Sequence, residues 1–152
     1  MFGYHTLLRE QHLDGTPDDV FAFFADAGNL EAITPPWLGF EIVTPRPIEM
    51  QVGTLIEYEL RLHGLPIHWL TRIEVWEPGK RFVDQQLRGP YALWHHTHEF
   101  TAATDGAGTV MRDTVRYALP CGPLGELAHR LVVRRDLDRI FAFRAEEVAR
   151  QI

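Results

Sequence analysis

Cysteine and lysine are almost absent from this chain: one of each occurs in 152 residues, Cys121 and Lys80. A single cysteine excludes an internal disulfide and suits a reducing compartment, so the expected location is the cytoplasm. Positive charge is scarce as well, with 15 Lys+Arg against 21 Asp+Glu and a formal net charge of −6. Binding to phosphate backbones needs clustered basic side chains, so no nucleic-acid partner is expected. Long hydrophobic runs are missing too. The densest, Val20 to Ala25, stops at Asp26, far short of the ~20 residues of a membrane span. The opening MFGYHTLLRE has no basic stretch followed by an apolar one, so no signal peptide is expected. The chain also shows no Gly-rich phosphate loop, no Ser nucleophile elbow, no Cys-x-x-Cys pair, no internal repeat and no linker.

The composition that is present is that of a folded protein. Hydrophobic residues make up 45% and charged residues 24%, which excludes a disordered chain. The length fits one domain spanning 1–152, large enough for a full core without staples.

Local signals give the element order. Tyr4 to Leu13 reads as a strand ended by Gly15 and Pro17. Thr16 is a suitable N-cap, Pro17 fits the first helical position, and Asp18 and Asp19 favour the positive helix end. A short amphipathic helix through Val20, Phe21, Phe23 and Phe24 should follow, then a further turn or two from Asp26 to Ile33, stopped by Pro35-Pro36. From residue 40 to 118 the hydrophobic period becomes two. Strands are predicted near 40–44, 53–62, 66–76, 81–87, 92–101 and 108–118, separated by Gly- and Pro-marked turns. Pro123 to Arg150 then reads as one long helix.

This order predicts an α+β fold: a curved antiparallel sheet of about seven strands, its apolar face covered by the C-terminal helix, with two short helices after strand 1. Three segments carry a resemblance. Pro17-Asp-Asp-Val-Phe-Ala-Phe-Phe-Ala-Asp-Ala-Gly-Asn-Leu30, Ile33-Thr-Pro-Pro-Trp37, and Arg88-Gly-Pro-Tyr91 with Trp94-His-His-Thr-His98 resemble the SRPBCC (START/Bet v 1-like) superfamily. More narrowly, they resemble its bacterial ligand-binding proteins near the polyketide cyclase/dehydrase group. The resemblance implies a helix-grip fold with a central cavity. It implies no single chemistry, because relatives carry lipids, cyclise polyketides or activate chaperones.

Strand parity locates the interior independently. Ile56, Tyr58, Leu60 and Leu62 share a face, as do Ile67, Trp69, Thr71, Ile73 and Val75, with Trp76 assigned to the opposite side. Met111, Asp113, Val115 and Tyr117 form the corresponding set in the last strand. Tyr58, Trp69, Trp94, Met111, Val115 and Tyr117 are therefore expected to line one enclosed space. The same parity turns Asp84, Gln86, His96 and His98 inward beside Phe82, Trp94 and Phe100.

Registers follow from the turns. A hairpin turning at Asp105-Gly106 places His98 opposite Asp113, and one centred near Gly89-Pro90 places Asp84 near His96 and Gln86 near Trp94. His98 is thus expected within hydrogen-bond reach of Asp113, directly or through one water.

Three readings of this cluster stay open. The polar groups satisfy one another or hold ordered water. They orient the polar end of an otherwise apolar ligand. Or they do chemistry, with His98, His96 and Asp113 as catalytic acid–base candidates. His-x-His with Asp113 or Asp84 also has the composition of a metal site, but the spacing is weakly specific, and neither metal nor cofactor is expected.

The function expected is binding of a small hydrophobic or amphipathic molecule. The alternatives are a cyclase or aromatase acting on a poly-carbonyl substrate, and a protein-interaction module with a filled core. Loops at Pro35-Pro36-Trp37, His63-Gly64 and Arg88 to Tyr91 are candidates to flank the cavity mouth. In the last helix, Leu124, Leu127, Ala128 and Leu131 form one stripe, while Leu137, Ile140, Phe141 and Val148 form another, rotated by roughly 150–200°. Both stripes are expected to be buried in the monomer, with the helix bent near Val133 to Asp136 by a π-bulge or a capped break. An exposed first stripe would instead offer a homodimer surface, which charges at Leu127 and Leu131 would disrupt.

Overall fold

The computed structural model describes residues 4–104 and 106–152. Strand β1 (His5–Leu13) leads into α1 (Pro17–Ala25) and α2 (Ala27–Ala32), then a 3-10 turn at Pro36–Leu38. Six strands follow: β2 (Glu41–Ile42), β3 (Leu55–Leu62), β4 (Leu65–Glu77), β5 (Arg81–Arg88), β6 (Leu93–Ala102) and β7 (Thr109–Ala118). The chain ends in α3 (Gly122–Ala128), a π-helical turn (His129–Val133) and α4 (Arg134–Gln151). All strands join one antiparallel sheet in the order β1-β7-β6-β5-β4-β3-β2. The expected α+β helix-grip architecture is the one observed.

The short helices start where their caps require. Thr16 accepts a hydrogen bond from the Asp19 amide at 3.1 Å, and Asp26 accepts one from the Gly28 amide at 2.9 Å, so each satisfies an amide that the first turn leaves free. The buried face of α1 (Val20, Phe21, Phe24) packs on Phe82, Phe100 and Met111 at one end of the sheet. Leu137 and Phe141 of α4 pack on Trp69, Trp94, Val115 and Tyr117 at the other.

The predicted register of the last hairpin holds along its whole length: every β6–β7 pair sums to 211, His98 with Asp113 included. The turn residue Asp105 lies outside the described residues. Asp84 sits opposite His96 in the β5–β6 ladder, also as predicted. Strand 40–44 shortens to Glu41–Ile42.

Trp76 departs from its predicted face. A register shift between Ile73 and Val75 inserts an extra residue into β4, and side-chain parity inverts beyond it. Trp76 is therefore turned onto Phe21 and Phe82, with ring centroids 4.9 and 5.4 Å away.

The C-terminal helix is continuous from Gly122 to Gln151, and its irregularity is the π-helical turn at His129–Val133, a few residues before the expected position. The expectation that both stripes are buried fails. Leu124, Leu127 and Leu131 are 72%, 48% and 62% exposed. What holds this half of the helix is polar and backbone contact. His129 Nε2 meets the Tyr117 hydroxyl at 2.8 Å, its ring stacks on His5, and His5 reaches Glu126 at 3.1 Å.

Gly125 fixes how the helix leaves β7. It is buried, and a Cβ there would overlap the carbonyl oxygen of Pro120 and crowd Leu119. Gly125→Ala should therefore destabilise the fold by about 1–3 kcal/mol, although alanine is the better helix former. Urea unfolding checks this; a variant at or above wild-type stability would show that the junction relaxes freely.

Candidate functional site

Between the sheet and α4 lies a space of about 180 Å³. Tyr58, Leu60, Trp69 and Trp94 line its sheet side, Leu137, Ile140 and Phe141 its helix side, and Leu30, Ile33 and Phe40 close it from the helices and loop that precede β2. One wall is polar: Asp84 of β5, His96 and His98 of β6, and Arg144 of α4. A smaller space of about 60 Å³ adjoins it and shares Tyr58, Asp84, His98 and Arg144.

The loops expected at the mouth contribute in different ways. Tyr91 lines the cavity itself. Leu38, Leu62 and Ile140 border both the cavity and an outer groove that includes Trp37, His63 and Gly64. Trp37 is half exposed and packs edge-on against Phe143, with the Arg139 guanidinium 4.9 Å from its ring centre.

The polar wall is a connected network. His96 Nε2–H donates to Asp113 Oδ1 at 2.8 Å, and His98 Nε2–H donates to Asp84 Oδ2 at 2.7 Å. The bonds run diagonally to the ladder, since the residues directly opposite are Asp84 with His96 and Asp113 with His98. The expected His98–Asp113 proximity is present, with Nδ1 3.3 Å from Asp113 Oδ1, but the imidazole N–H goes to Asp84. Arg144 ties the two acceptors together, donating to Asp113 Oδ1 at 3.1 Å and to His98 Nδ1 at 3.3 Å. The two imidazoles stack with centroids 3.6 Å apart, and Phe82 covers the other face of His98 at 3.9 Å.

Burial and charge set the protonation states. Desolvation pushes the pKa of His96 down to about 4, reinforced by His98 and only partly opposed by Asp113 and Asp84, so His96 is neutral near pH 7. Burial alone would raise the Asp113 carboxyl. The Arg144 charge and the two histidine hydrogen bonds outweigh burial and hold the group well below the ordinary carboxylate range. Asp84 is lowered as well, its burial outweighed chiefly by the His98 hydrogen bond. Burial, with the Asp84 charge beside it, pushes the Tyr58 hydroxyl far up, so it stays protonated. That hydroxyl meets Thr71 Oγ1 at 2.7 Å, and the indole N–H of Trp69 donates to the same oxygen at 3.0 Å.

Five residues predicted for the enclosed space sit elsewhere. Gln86 folds back on its own turn, its side-chain amide bonded to the Tyr91 carbonyl and amide at 2.8 and 3.1 Å. It keeps its place opposite Thr71, in register with Asp84; the extra residue of the register shift is Leu87, beyond it, where the strand runs into the turn. Val115 is fully packed and Met111 nearly so, both covered by their core neighbours. Asp113 and Met111 border a separate space of about 100 Å³ alongside Arg144. Tyr117 faces His129 and a groove containing His5 and Arg134.

Arg144 was not among the sequence candidates, yet it holds the wall together. Its signal was available: Leu137, Ile140, Phe141 and Val148 define the buried stripe of α4, and position 144 falls on that stripe at the i+3/i+4 spacing. A charged residue on an otherwise apolar stripe marks a buried counter-ion.

The donor atoms of Asp84, His96 and His98 lie within 4.8 Å of one another, a set that has the composition of a metal site. Each of these side chains already has a hydrogen-bond partner, and the Arg144 cation occupies the same wall.

The fold and this buried site define a helix-grip protein with a cavity under its C-terminal helix. Residues 5–152 match the family of polyketide cyclase / dehydrase and lipid transport proteins, and the chain belongs to that family, within the SRPBCC superfamily. Solved structures agree on the fold. CV1439 from Chromobacterium violaceum superposes with a TM-score of 0.74 at 14% identity, over 97% of each chain. A norcoclaurine synthase point mutant from Thalictrum flavum gives 0.71 at 14% identity, over 99% of this chain and 95% of that one. The Zhui aromatase/cyclase from Streptomyces sp. R1128 gives 0.68 at 16% identity, over 98% and 96%. At such identities the likeness concerns fold alone. No curated protein matches the chain. Among the described residues, no helix is long and apolar enough to cross a membrane.

Proposed function

We propose that this protein binds a small hydrophobic or amphipathic molecule in the space between the sheet and α4. The observation that carries this reading is the division of the lining. Most of it is aromatic or aliphatic, while Asp84, His96, His98 and Arg144 converge on one wall. Ligand sites are built this way, with apolar surface for affinity and a few placed polar groups for orientation. A space of about 180 Å³ also disfavours a filled-core interaction module, because protein interiors otherwise pack with few voids larger than a water molecule. Native mass spectrometry of the purified protein is expected to show a retained small molecule, lost when Trp94→Ala reshapes the cavity. Protein of bare polypeptide mass that also fails to take up small aromatic probes would reject the reading.

A second reading, a cyclase or aromatase acting on a poly-carbonyl substrate, draws on one observation. His98 and Asp84 form an oriented imidazole–carboxylate pair on the cavity wall, an arrangement suited to proton exchange. Turnover abolished by His98→Ala, with ligand affinity kept, would favour it over simple binding.

A further inference from the structure

We propose that the cavity selects neutral molecules about the size of one substituted aromatic ring, whose polar end accepts a hydrogen bond from the Tyr58 hydroxyl and donates one to Asp84, as a hydroxyl group does. The inference rests on the reading of the cavity as a ligand site and adds the chemical class of the ligand.

Tyr58 supplies a donor, as a count of protons shows. The Thr71 hydroxyl oxygen accepts the Trp69 indole N–H at 3.0 Å and lies 2.7 Å from the Tyr58 hydroxyl oxygen. The two hydroxyls carry two protons, and the contact between them uses one. Among the described residues no other acceptor reaches either oxygen, so the second proton has no partner within the fold. An unmet donor costs most where nothing else can reach it. Thr71 is 2% exposed and borders the smaller space alone, so its proton belongs in the contact. The proton left over is that of Tyr58, whose side chain borders both the main cavity and its smaller neighbour.

Asp84 supplies an acceptor. The His98 N–H goes to its Oδ2 at 2.7 Å, and His96 Nδ1 lies 4.0 Å from the same oxygen. Among the described residues no hydrogen bond reaches Oδ1. Asp84 borders the same two spaces as Tyr58. Burial, which raises its carboxyl, is outweighed by the His98 hydrogen bond and by the charges of His96, His98 and Arg144, so near pH 7 it is ionised and only accepts. Neutrality of the ligand follows from what stands beside the pair. Arg144 lines both spaces together with Asp84. An ammonium that reached Asp84 would meet the guanidinium, and a carboxylate that reached Arg144 would meet Asp84. Size sets the body. A cavity of about 150 Å³ accommodates benzene, so about 180 Å³ with a side pocket of about 60 Å³ suits one ring with a short tail.

Four probes of nearly equal shape separate the possibilities: 1-phenylethanol, acetophenone, ethylbenzene and protonated 1-phenylethylamine, titrated at pH 7 by following the tryptophan fluorescence and by calorimetry. The alcohol is expected to bind about tenfold more tightly than the ketone, which can accept but not donate; the difference is one hydrogen bond to a charged acceptor. The amine is expected to bind at least tenfold more weakly than the alcohol. Tyr58→Phe should weaken the alcohol and the ketone about fivefold each and leave ethylbenzene as it was. Asp84→Asn keeps an oxygen for His98 and puts an N–H in place of the free acceptor, so the ketone should then bind at least as tightly as the alcohol. A ketone that matches the alcohol on wild type overturns the donation to Asp84, and an amine that matches it overturns the neutral preference. An alcohol and a ketone unaffected by Tyr58→Phe, or an equal loss for ethylbenzene, overturns the role of Tyr58. An alcohol lead kept in Asp84→Asn overturns the assignment to Asp84. Each of these results leaves the cavity a ligand site, whereas binding of none of the four removes that reading together with the inference. If Asp84→Asn does not fold, the wild-type ranking and Tyr58→Phe decide.

Discussion

Arg144→Met should lower stability by about 3–5 kcal/mol, the cost of leaving a buried charge without its partner. For a domain of this length that corresponds to a fall in Tm of about 6–20 °C. The Arg144 side chain is 11% exposed and that of Asp113 is 12% exposed, so water screens the pair little. Removing the guanidinium leaves Asp113 with the two histidines as its close polar partners and withdraws the contact to His98 Nδ1. Methionine fills similar space, so the loss reports charge more than volume. A second substitution sharpens the test. In Arg144→Met with Asp113→Asn no charge is left on this part of the wall, and the amide oxygen still accepts from His96. The double variant should recover much of the loss, giving a coupling energy that a mere packing defect would not. Urea denaturation of the four proteins closes the cycle. An Arg144→Met variant within about 1 kcal/mol of wild type would mean that Asp113 gains protonation or water without difficulty, contrary to the burial described.

The same residue shows where the sequence is readable and where it is not. The architecture rests on period, caps and turns, which are local: Thr16 and Asp26 cap the helices they precede, and the β6–β7 register follows from turn position alone. The polar wall was half legible. Alternation turned Asp84, His96 and His98 to one face because β5 and β6 are regular there. It failed for Trp76, beyond a register shift that no residue pattern announces, and Gln86, though in register with Asp84, spends its amide on its own turn. Facing was legible, but accessibility was not. Met111, Val115 and Tyr117 point to the interior, yet neighbours from α1, α4 and the π-helical turn cover them, and that depends on how distant elements meet. Partner choice was the least legible. Register put His98 opposite Asp113, and side-chain rotamers with a guanidinium from α4 then divided the acceptors diagonally. The exposed Leu124, Leu127 and Leu131 make the same point in reverse, since a stripe at helical spacing shows where a face is but not whether anything covers it.

Acid is expected to destabilise this protein early, between pH 6.5 and 4, before ordinary carboxylates titrate. His96 is the cause. In the unfolded chain it takes up a proton near its ordinary value of 6.5; in the folded chain burial pushes that value down to about 4. Between the two, the unfolded state binds a proton that the folded state refuses, so stability rises with pH across this window and falls as the solution is acidified. The gap from 6.5 to about 4 corresponds to roughly 3 kcal/mol by pH 4. His129 is lowered too, by burial and by the stacked His5, and acts in the same direction. The carboxylates act later. Asp84 and Asp113 are both lowered from the ordinary 3.8, so their contribution is intact above that value and is lost only as pH falls through their still lower folded values. The stability profile should therefore fall in two stages. His96→Gln, whose amide N–H replaces the donor to Asp113 without a titrating ring, should remove much of the first stage and leave the second. Urea unfolding of both proteins at pH 7, 5.5 and 4.5 measures the slopes. Parallel slopes for wild type and variant would show that His96 charges freely in the folded protein and that the wall is open to water.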